Sequence, residues 1–347
     1  MSLLMRSRKG SRGIEMIVDL RELADAIKRC ERPLLTGHIM PDGDCIGSVL
    51  ALALLLEGQG KQVMAVSPDP VPLVYRFLPG IERLAVGAPP AVFEPDAFIM
   101  LDCSDPERVG PDLVKYLDKP GVTVINVDHH VSTRPYAHYN YIDPGAAAVG
   151  EIVYDLSFVL GASITHEVAT CLYTAIFTDT GSFRYDNTTS GTHRRVARLI
   201  DQGVSPAEVN TAIYEERRLE SIRLLHAALG SVELNPSGQV AWASLTTERE
   251  AALGATDEDG EGIINYVRMI NGVEVAALFR ETKPSVFKVS LRSKRYVDVS
   301  ALAQEFGGGG HPRAAGCTIS GALDEVVEAV IRAAETRVAE DSDDRRA

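Results

Sequence analysis

Histidine and aspartate recur between residues 37 and 181 in four short segments. They are Gly37-His38-Ile39-Met40-Pro41-Asp42-Gly43-Asp44, Leu101-Asp102, Asp128-His129-His130 and Thr178-Asp179-Thr180-Gly181. Gathered on one edge of a sheet, these ligands would repel one another unless cations sat among them. A pair of divalent ions resolves that conflict, and ions ~3.5–4 Å apart are built for phosphoryl chemistry. Asp42 and Asp44 lie two apart in a turn marked by Pro41 and Gly43, so each could address a different ion. Asp102 could bridge the pair, with His129 and Asp179 completing the second ion. Mixed imidazole and carboxylate ligation suits Mn²⁺ better than Mg²⁺, which prefers oxygen shells and retained water. A single Asp at a strand end is commonly a helix N-cap, and Asp44 before an apolar run could be only that. Four such segments in order favour the metal reading.

The elements that would hold these residues follow from apolar patterning. Residues 19–30 place Leu20, Leu23, Ala24 and Ile27 on one helical face. Short apolar runs at 33–36, 62–66, 97–101 and 122–127 read as strands buried on both faces of a parallel sheet. Helices fit at 46–57, 111–117, 147–160 and 166–178. All four ligand segments are expected at the carboxyl ends of strands, the edge where open α/β sheets bind ligands. Residues 190–230 read as continuous helical patterning that bridges two domains. Beyond them, strands are expected at 239–245, 273–280 and 286–292, with helices at 259–270, 298–306 and 322–338. The fold class is therefore α/β: a doubly wound parallel sheet over 15–190, a helical linker over 191–230 and a smaller mixed-sheet α/β domain over 231–340. The active site is expected in the cleft between the domains.

The second domain carries its own signals. Gly307 to Gly310 follow a helix and not a strand, so they are no dinucleotide fingerprint. Gly308, Gly309 and Gly310 could aim backbone N–H groups at an anion, with His311 and Arg313 adding charge. The competing reading is a glycine-rich helix end. Six basic residues (Arg280, Lys283, Lys288, Arg292, Lys294, Arg295) against Glu281 reverse the local charge, and Lys288, Ser290 and Arg292 could share one strand face. Lysine on a solvated edge strand is the alternative.

Bulk composition narrows the classes. With 347 residues, 45% hydrophobic and 24% charged, the chain reads as globular and two-domain. Its net charge of −13 argues against long nucleic acid or an anionic membrane as a partner. Five scattered cysteines (Cys30, Cys45, Cys103, Cys171, Cys317) suit a reducing compartment, with Cys45 and Cys103 as buried packers. The opening MSLLMRSRKGSRGIEM has no apolar core and reads as a ragged tail, the closing DSDDRRA as a solvated end. The cytoplasm is the expected location.

Asp128-His129-His130 after a strand, with HIMPDGD upstream and TDTGSF downstream, resembles the DHH phosphoesterase superfamily. GGGGHPRAAG (Gly307 to Gly316) resembles the glycine-rich motif of the DHHA1 domain, and KVSLRS (Lys288 to Ser293) adds to it. Together they resemble the bifunctional oligoribonuclease and pAp phosphatase, or nano-RNase, type. The likeness spans about Asp19 to about Arg337. It implies a first Mn²⁺ held by His38, Asp42 and Asp102 and a second held by Asp44, Asp102, His129 and Asp179, with Mg²⁺ or Co²⁺ as substitutes. It gives catalytic roles to Asp102 and to His130, which faces substrate or water, and places Asp128 behind His129 as its orienting carboxylate. It assigns substrate binding to Arg292, Ser293, Gly308, Gly309, Gly310, His311 and Arg313, and implies a homodimer. VSTRPY stands where the family pattern leads one to expect an Asn near Thr133.

The expected function is hydrolysis of short RNA or DNA oligonucleotides to mononucleotides and of 3′-phosphoadenosine 5′-phosphate (pAp) to AMP. A cyclic di-AMP or pApA phosphodiesterase is the alternative within enzymes. From another class, the chain could be a metal-dependent nucleotide sensor without turnover. Inorganic pyrophosphatase shares the metal segments but would need a basic carboxyl-terminal motif in place of the glycines.

Overall fold

The computed structural model describes residues 8–10 and 13–343; residues 1–7, 11–12 and 344–347, which hold most of the opening tail and the last part of the acidic end, lie outside it. The chain divides at Glu216/Arg217 into two compact units. In the first, the elements are β1 (Arg8–Gly10), β2 (Gly13–Ile17), α1 (Leu20–Lys28), β3 (Pro33–Thr36), α2 (Gly43–Gly58), β4 (Met64–Ser67), β5 (Ala85–Val86), β6 (Ala97–Leu101), β7 (Thr123–Asp128), β8 (Tyr139–Ile142), α3 (Val149–Leu160), α4 (His166–Asp179), α5 (Ser190–Asp201) and α6 (Pro206–Asn210). Strands β2-β8-β7-β6-β3-β4-β5 run parallel in that order, and β1 adds antiparallel to β2. Part of the expected tail, Gly13–Ile17, is thus a strand.

From β3 the chain moves to β4 and β5 on one side, then crosses back to β6, β7 and β8 on the other. The switch falls between β3 and β6, where loops diverge and leave a crevice at the strands' carboxyl ends. Register fixes the level of that crevice. Thr36 pairs with Met100, and Met100 with Asn126, so residues 38, 102 and 128 leave the sheet side by side.

Side-chain alternation splits the sheet's faces. Leu35, Ile99, Leu101, Ile125 and Val127 join the core under α1–α4, while Leu34, Phe98, Met100 and Val124 join a second cluster. That second cluster is closed by the 3₁₀ turns Pro106–Val109 and Val114–Tyr116, so the helix expected over 111–117 is only a short 3₁₀ turn. Pro111 and Pro120 bracket too few residues for an α-helix to repay its nucleation. Helix α2 is buried almost all round, packed against α3, α4 and the sheet. A side chain at Gly43 would meet Thr178 Oγ1 at 2.4 Å, and one at Gly47 the Cys171 carbonyl at 2.5 Å. Those glycines let α2 and α4 approach closely enough to bring Asp44 near Asp179.

The expected continuous bridge over 190–230 is broken. Helix α5 stops at Gly203, whose φ is 93°, and Pro206 restarts the chain as α6, which continues into a π-helical turn at Thr211–Glu215. Helix α5 packs on α4 within the first unit. The next helix, α7 (Leu219–Gly230), buries Leu224 and Ala228 in the second.

The second unit continues with β9 (Glu233–Leu234), β10 (Val240–Leu245), α8 (Thr247–Leu253), α9 (Ile263–Met269), β11 (Val275–Lys283), β12 (Val286–Ser293), α10 (Val299–Gln304), β13 (Gly309–His311), β14 (Ala314–Ser320) and α11 (Leu323–Asp343). Its sheet is mixed, in the order β13-β14-β12-β11-β10-β9, with β10 and β11 parallel. One face packs on α10 and α11 through Phe279, Val289, Leu291 and Cys317. The other is covered by α7 and α9 over β10 and β11. Among the described residues no helix is long and apolar enough to cross a membrane.

Candidate metal centre

Each expected ligand leaves the crevice edge of the first unit, with one exception in how it gets there. Asp179 is the last residue of α4 and does not end a strand. A helix carboxyl end favours positive charge, so this position suits a cation as well as a strand end would. Donor atoms of His38, Asp42 and Asp102 lie within 4.8 Å of one another, as do those of Asp44, His129 and Asp179, and those of Asp102, His129 and His130. Asp102 adjoins both ligand sets. Its Oδ2 is 3.3 Å from His38 Nε2 and its Oδ1 is 3.7 Å from His129 Nε2. Asp42 Oδ1 lies 3.8 Å from His38 Nε2, and His129 Nε2 lies 3.9 Å from Asp44 Oδ2 and 3.5 Å from Asp179 Oδ2.

The imidazoles are aimed by their other nitrogens. His38 Nδ1 lies 2.7 Å from the Ile39 carbonyl and His129 Nδ1 3.1 Å from the Ala146 carbonyl. With the proton on Nδ1, each Nε2 turns a lone pair toward the carboxylates. Asp128 does not orient the His129 ring, as the sequence had suggested. Its Oδ1 accepts from His130 Nδ1 at 2.7 Å and from the His129 backbone N–H at 2.9 Å, while Thr133 Oγ1 donates to Oδ2. Thr133, standing where Asn was expected, therefore completes an Asp128–His130 pair. Burial works to raise the Asp128 carboxyl, but the His130 and Thr133 hydrogen bonds outweigh it and hold it below the usual range.

Asp42 is the N-cap of α2, its Oδ1 accepting from the Cys45 N–H at 3.0 Å. Asp44 has a different task from the capping role its position allowed. Its carboxylate accepts the Val149 N–H at 2.7 Å, the Gly150 N–H at 2.9 Å and the Ser48 hydroxyl at 2.9 Å. Ala148 offers no side-chain cap to α3, so Asp44 satisfies that helix's first amides from 105 residues away. Segment 146–150 thereby holds both His129 and Asp44. Sequence reasoning missed the segment because its contributions run through backbone atoms, and Ser48 because a lone hydroxyl does not stand out.

The set fits a cation. Asp102 is buried, its Oδ1 has no hydrogen-bond donor, and its φ of 61° is a left-handed conformation rare outside glycine. Burial and then the charges of Asp44 and Asp42 push its carboxyl well above the usual range. Burial likewise raises Asp44, against the pull of His129 and the two backbone donors. A buried carboxylate with one donorless oxygen beside two other acids is relieved either by taking up a proton or by a divalent ion, and the surrounding imidazoles and carboxylates supply donors for the ion. Cys45 and Cys103 are buried, and burial pushes both thiols well up, which suits packing.

In the second unit the expected substrate residues separate. Lys288, Ser290 and Arg292 do share a face of β12, opposite buried Phe287, Val289 and Leu291. Their β14 partners are Thr318, Gly316 and Ala314, so that stretch of sheet presents small residues between two cations. Ser293 faces the other way and is 1% exposed, its hydroxyl on the Pro312 carbonyl. Arg313 donates to the Val297 carbonyl at 2.6 Å and so clamps its own loop. Gly308 spends its amide on the Ala303 carbonyl, and a side chain there would meet the Gly316 carbonyl at 2.2 Å. The Ser293 hydroxyl, the Gly308 amide and one Arg313 nitrogen thus have partners within the loop, while the Arg313 side chain remains exposed. Gly310 has a φ of 145° and packs on the Ala314 carbonyl, whereas a side chain at Gly309 would meet nothing within 4 Å. His311 ends β13; its side chain lies outside the described residues. Arg280 and Lys294 leave the basic patch: the first pairs with Glu250 and Asp257, the second donates to the Ile270 carbonyl.

Comparisons with known proteins agree with this architecture. The sequence matches the model of the DHH family, N-terminal domain, over residues 33–176 and that of the DHHA1 domain over residues 239–340. It is 35% identical to the bifunctional oligoribonuclease and PAP phosphatase NrnA of Thermus thermophilus over 323 residues, 90% of this chain and 93% of that one. The protein of the same name from Bacillus subtilis is 28% identical over 306 residues, 86% and 92% of the two chains. Among solved structures, an exopolyphosphatase-related protein from Bacteroides fragilis superposes with a TM-score of 0.86 at 26% identity, covering 91% of this chain and 95% of that one. RecJ of Thermus thermophilus in complex with Mn²⁺ shares the fold at a TM-score of 0.55 and 14% identity, over 91% of this chain and 55% of RecJ. This chain belongs to the DHH family, with a DHHA1 domain in its second unit.

Proposed function

We propose that the chain is a metal-dependent phosphoesterase that hydrolyses short oligonucleotides to mononucleotides and pAp to AMP. The observation that carries this reading is Asp102, whose two oxygens face imidazoles of two different ligand sets while one of them lacks any donor. The curated relatives named for oligoribonuclease and PAP phosphatase activity, matched over nearly their full length, supply the substrate class. His38, Asp42 and Asp102, and Asp44, Asp102, His129 and Asp179, would hold two divalent ions, which when bound would supply Lewis-acid polarisation of a phosphoryl oxygen and an acidified water. The mixed nitrogen and oxygen donors favour Mn²⁺, with Mg²⁺ or Co²⁺ as substitutes.

The remaining work falls to side chains. Asp128 and Thr133 fix the His130 ring with its proton on Nδ1, which leaves Nε2 as the atom that exchanges a proton with substrate. In the second unit, Arg292 and Lys288 flank Ala314, Gly316 and the open Gly309 strand, a surface on which a base can lie flat and a phosphate can be paired. His311 is proposed to join them. Five free, buried cysteines support a reducing, cytoplasmic setting.

The test compares pAp, pApA, a pentanucleotide, cyclic di-AMP and pyrophosphate under Mn²⁺, for the wild type and Asp102→Asn. Wild type should favour pAp and the short oligonucleotides, and the isosteric variant should lose a factor on the order of 10²–10³ in kcat. Unimpaired Mn²⁺-dependent turnover by Asp102→Asn would end this reading, and preference for cyclic di-AMP would move the substrate class.

A further inference from the structure

We infer that Asn187 is a positioning residue for the second ligand set, tying together the backbone behind Asp44, His129 and Asp179. The inference rests on the metal-dependent reading above. Asn187 Nδ2 donates to the Ala147 carbonyl at 3.0 Å and to the Asp179 carbonyl at 3.2 Å. Ala147 sits in the segment whose Ala146 carbonyl holds the His129 ring and whose Val149 and Gly150 amides hold Asp44. Asp179 is itself a ligand. One primary amide, with two N–H bonds on one nitrogen, thus spans the supports of all three. The Ala147 residue is gripped from its other end too, since its N–H donates to buried Glu151 at 3.1 Å.

The path that brings Asn187 there is strained. Gly181, Ser182 and Phe183 take φ values of 56°, 62° and 64°, three left-handed residues in succession. Ser182 and Phe183 carry side chains that this conformation disfavours. The Ser182 N–H donates to the Phe177 carbonyl at 2.8 Å and the Phe183 N–H to Thr180 Oγ1 at 3.1 Å. The Phe183 ring packs on Phe177, Tyr173 and His193. Such strain persists only where its surroundings over-determine it. Its result here is a chain reversal that returns residue 187 to the backbone of residue 179.

Asn187 is exposed, and a surface Asn→Asp change elsewhere would do little. Here the aspartate keeps the shape but turns an acceptor on two acceptors. Added negative charge alone would tighten cation binding, so weaker binding reports the lost tether. Equilibrium dialysis with metal analysis should find that Asn187→Asp weakens one of two Mn²⁺ equivalents by about 10–100-fold. Asn187→Ala should move the same way. Electron paramagnetic resonance should change from a paired-ion to an isolated-Mn²⁺ signal, and activity should return at excess Mn²⁺. Circular dichroism of both metal-free variants should match wild type. If either variant binds two equivalents as tightly as wild type, the inference fails and the metal-dependent reading stands. If wild type itself binds fewer than two, both fail together.

Discussion

At the scale of single residues, the centre stores protons where cations belong. Burial above all, then the charge of Asp44, raises Asp179 to about 8. Burial alone would lower His129, but Asp44, Asp179 and Asp102 override it and carry it to about 9. Metal ligands must be deprotonated, so the proposed Mn²⁺ binding would displace these protons near neutral pH. Calorimetry in buffers of different ionisation heat should detect release of about one proton or more per chain at pH 7, fading above about pH 9, with affinity rising across that window. A binding heat independent of buffer at pH 7 would contradict this. The acids and histidines that cluster here were legible in the sequence because type and order announce them. Ser48, Thr133 and Asn187 were not. Each acts on a partner whose nearness only the folded chain creates, and hydroxyls and amides are too common in loops to stand out.

Among elements, the close approach of α2 and α4 matters most, because it sets the distance between Asp44 and Asp179. A methyl at Gly43 would press on Thr178, one residue before Asp179, at 2.4 Å. Gly43→Ala should therefore cost about 1–3 kcal/mol of stability, as overpacking does, and weaken Mn²⁺ binding with it. Thermal melts and metal titration read the two effects. A melt and a metal affinity equal to wild type would show that the helices separate freely. The buried strands β3, β6 and β7 and the long helices α2, α3, α4 and α11 were readable from apolar runs. Strand β14 was not, since its glycine- and alanine-rich start resembles a loop and only pairing with β12 makes it a strand. Strand β8 was hidden for a related reason: Tyr139, Asn140 and Tyr141 carry no apolar run.

Over the whole molecule, the proposed function gives each unit its own task, and on a chain of net charge −13 recognition of an anion would have to be local. The glycine loop supplies a contrast that tests this. Gly308→Ala would collide with the Gly316 carbonyl and should lower the melting temperature, whereas Gly309→Ala meets open space and should leave it unchanged. If the uncovered face of β12–β14–β13 holds the nucleotide, Gly309→Ala should still raise KM for pAp, by about 10-fold per 1.4 kcal/mol lost. An unchanged KM would place recognition elsewhere. The wiring between distant segments also decides how an inactive control ought to be made. Asp44 plugs the start of α3 as well as facing the ligand set, so replacing it would confound a collapsed helix junction with lost catalysis. Asp42, whose side chain is 55% exposed and caps only its own helix, is the cleaner place to silence the protein while leaving its shape intact.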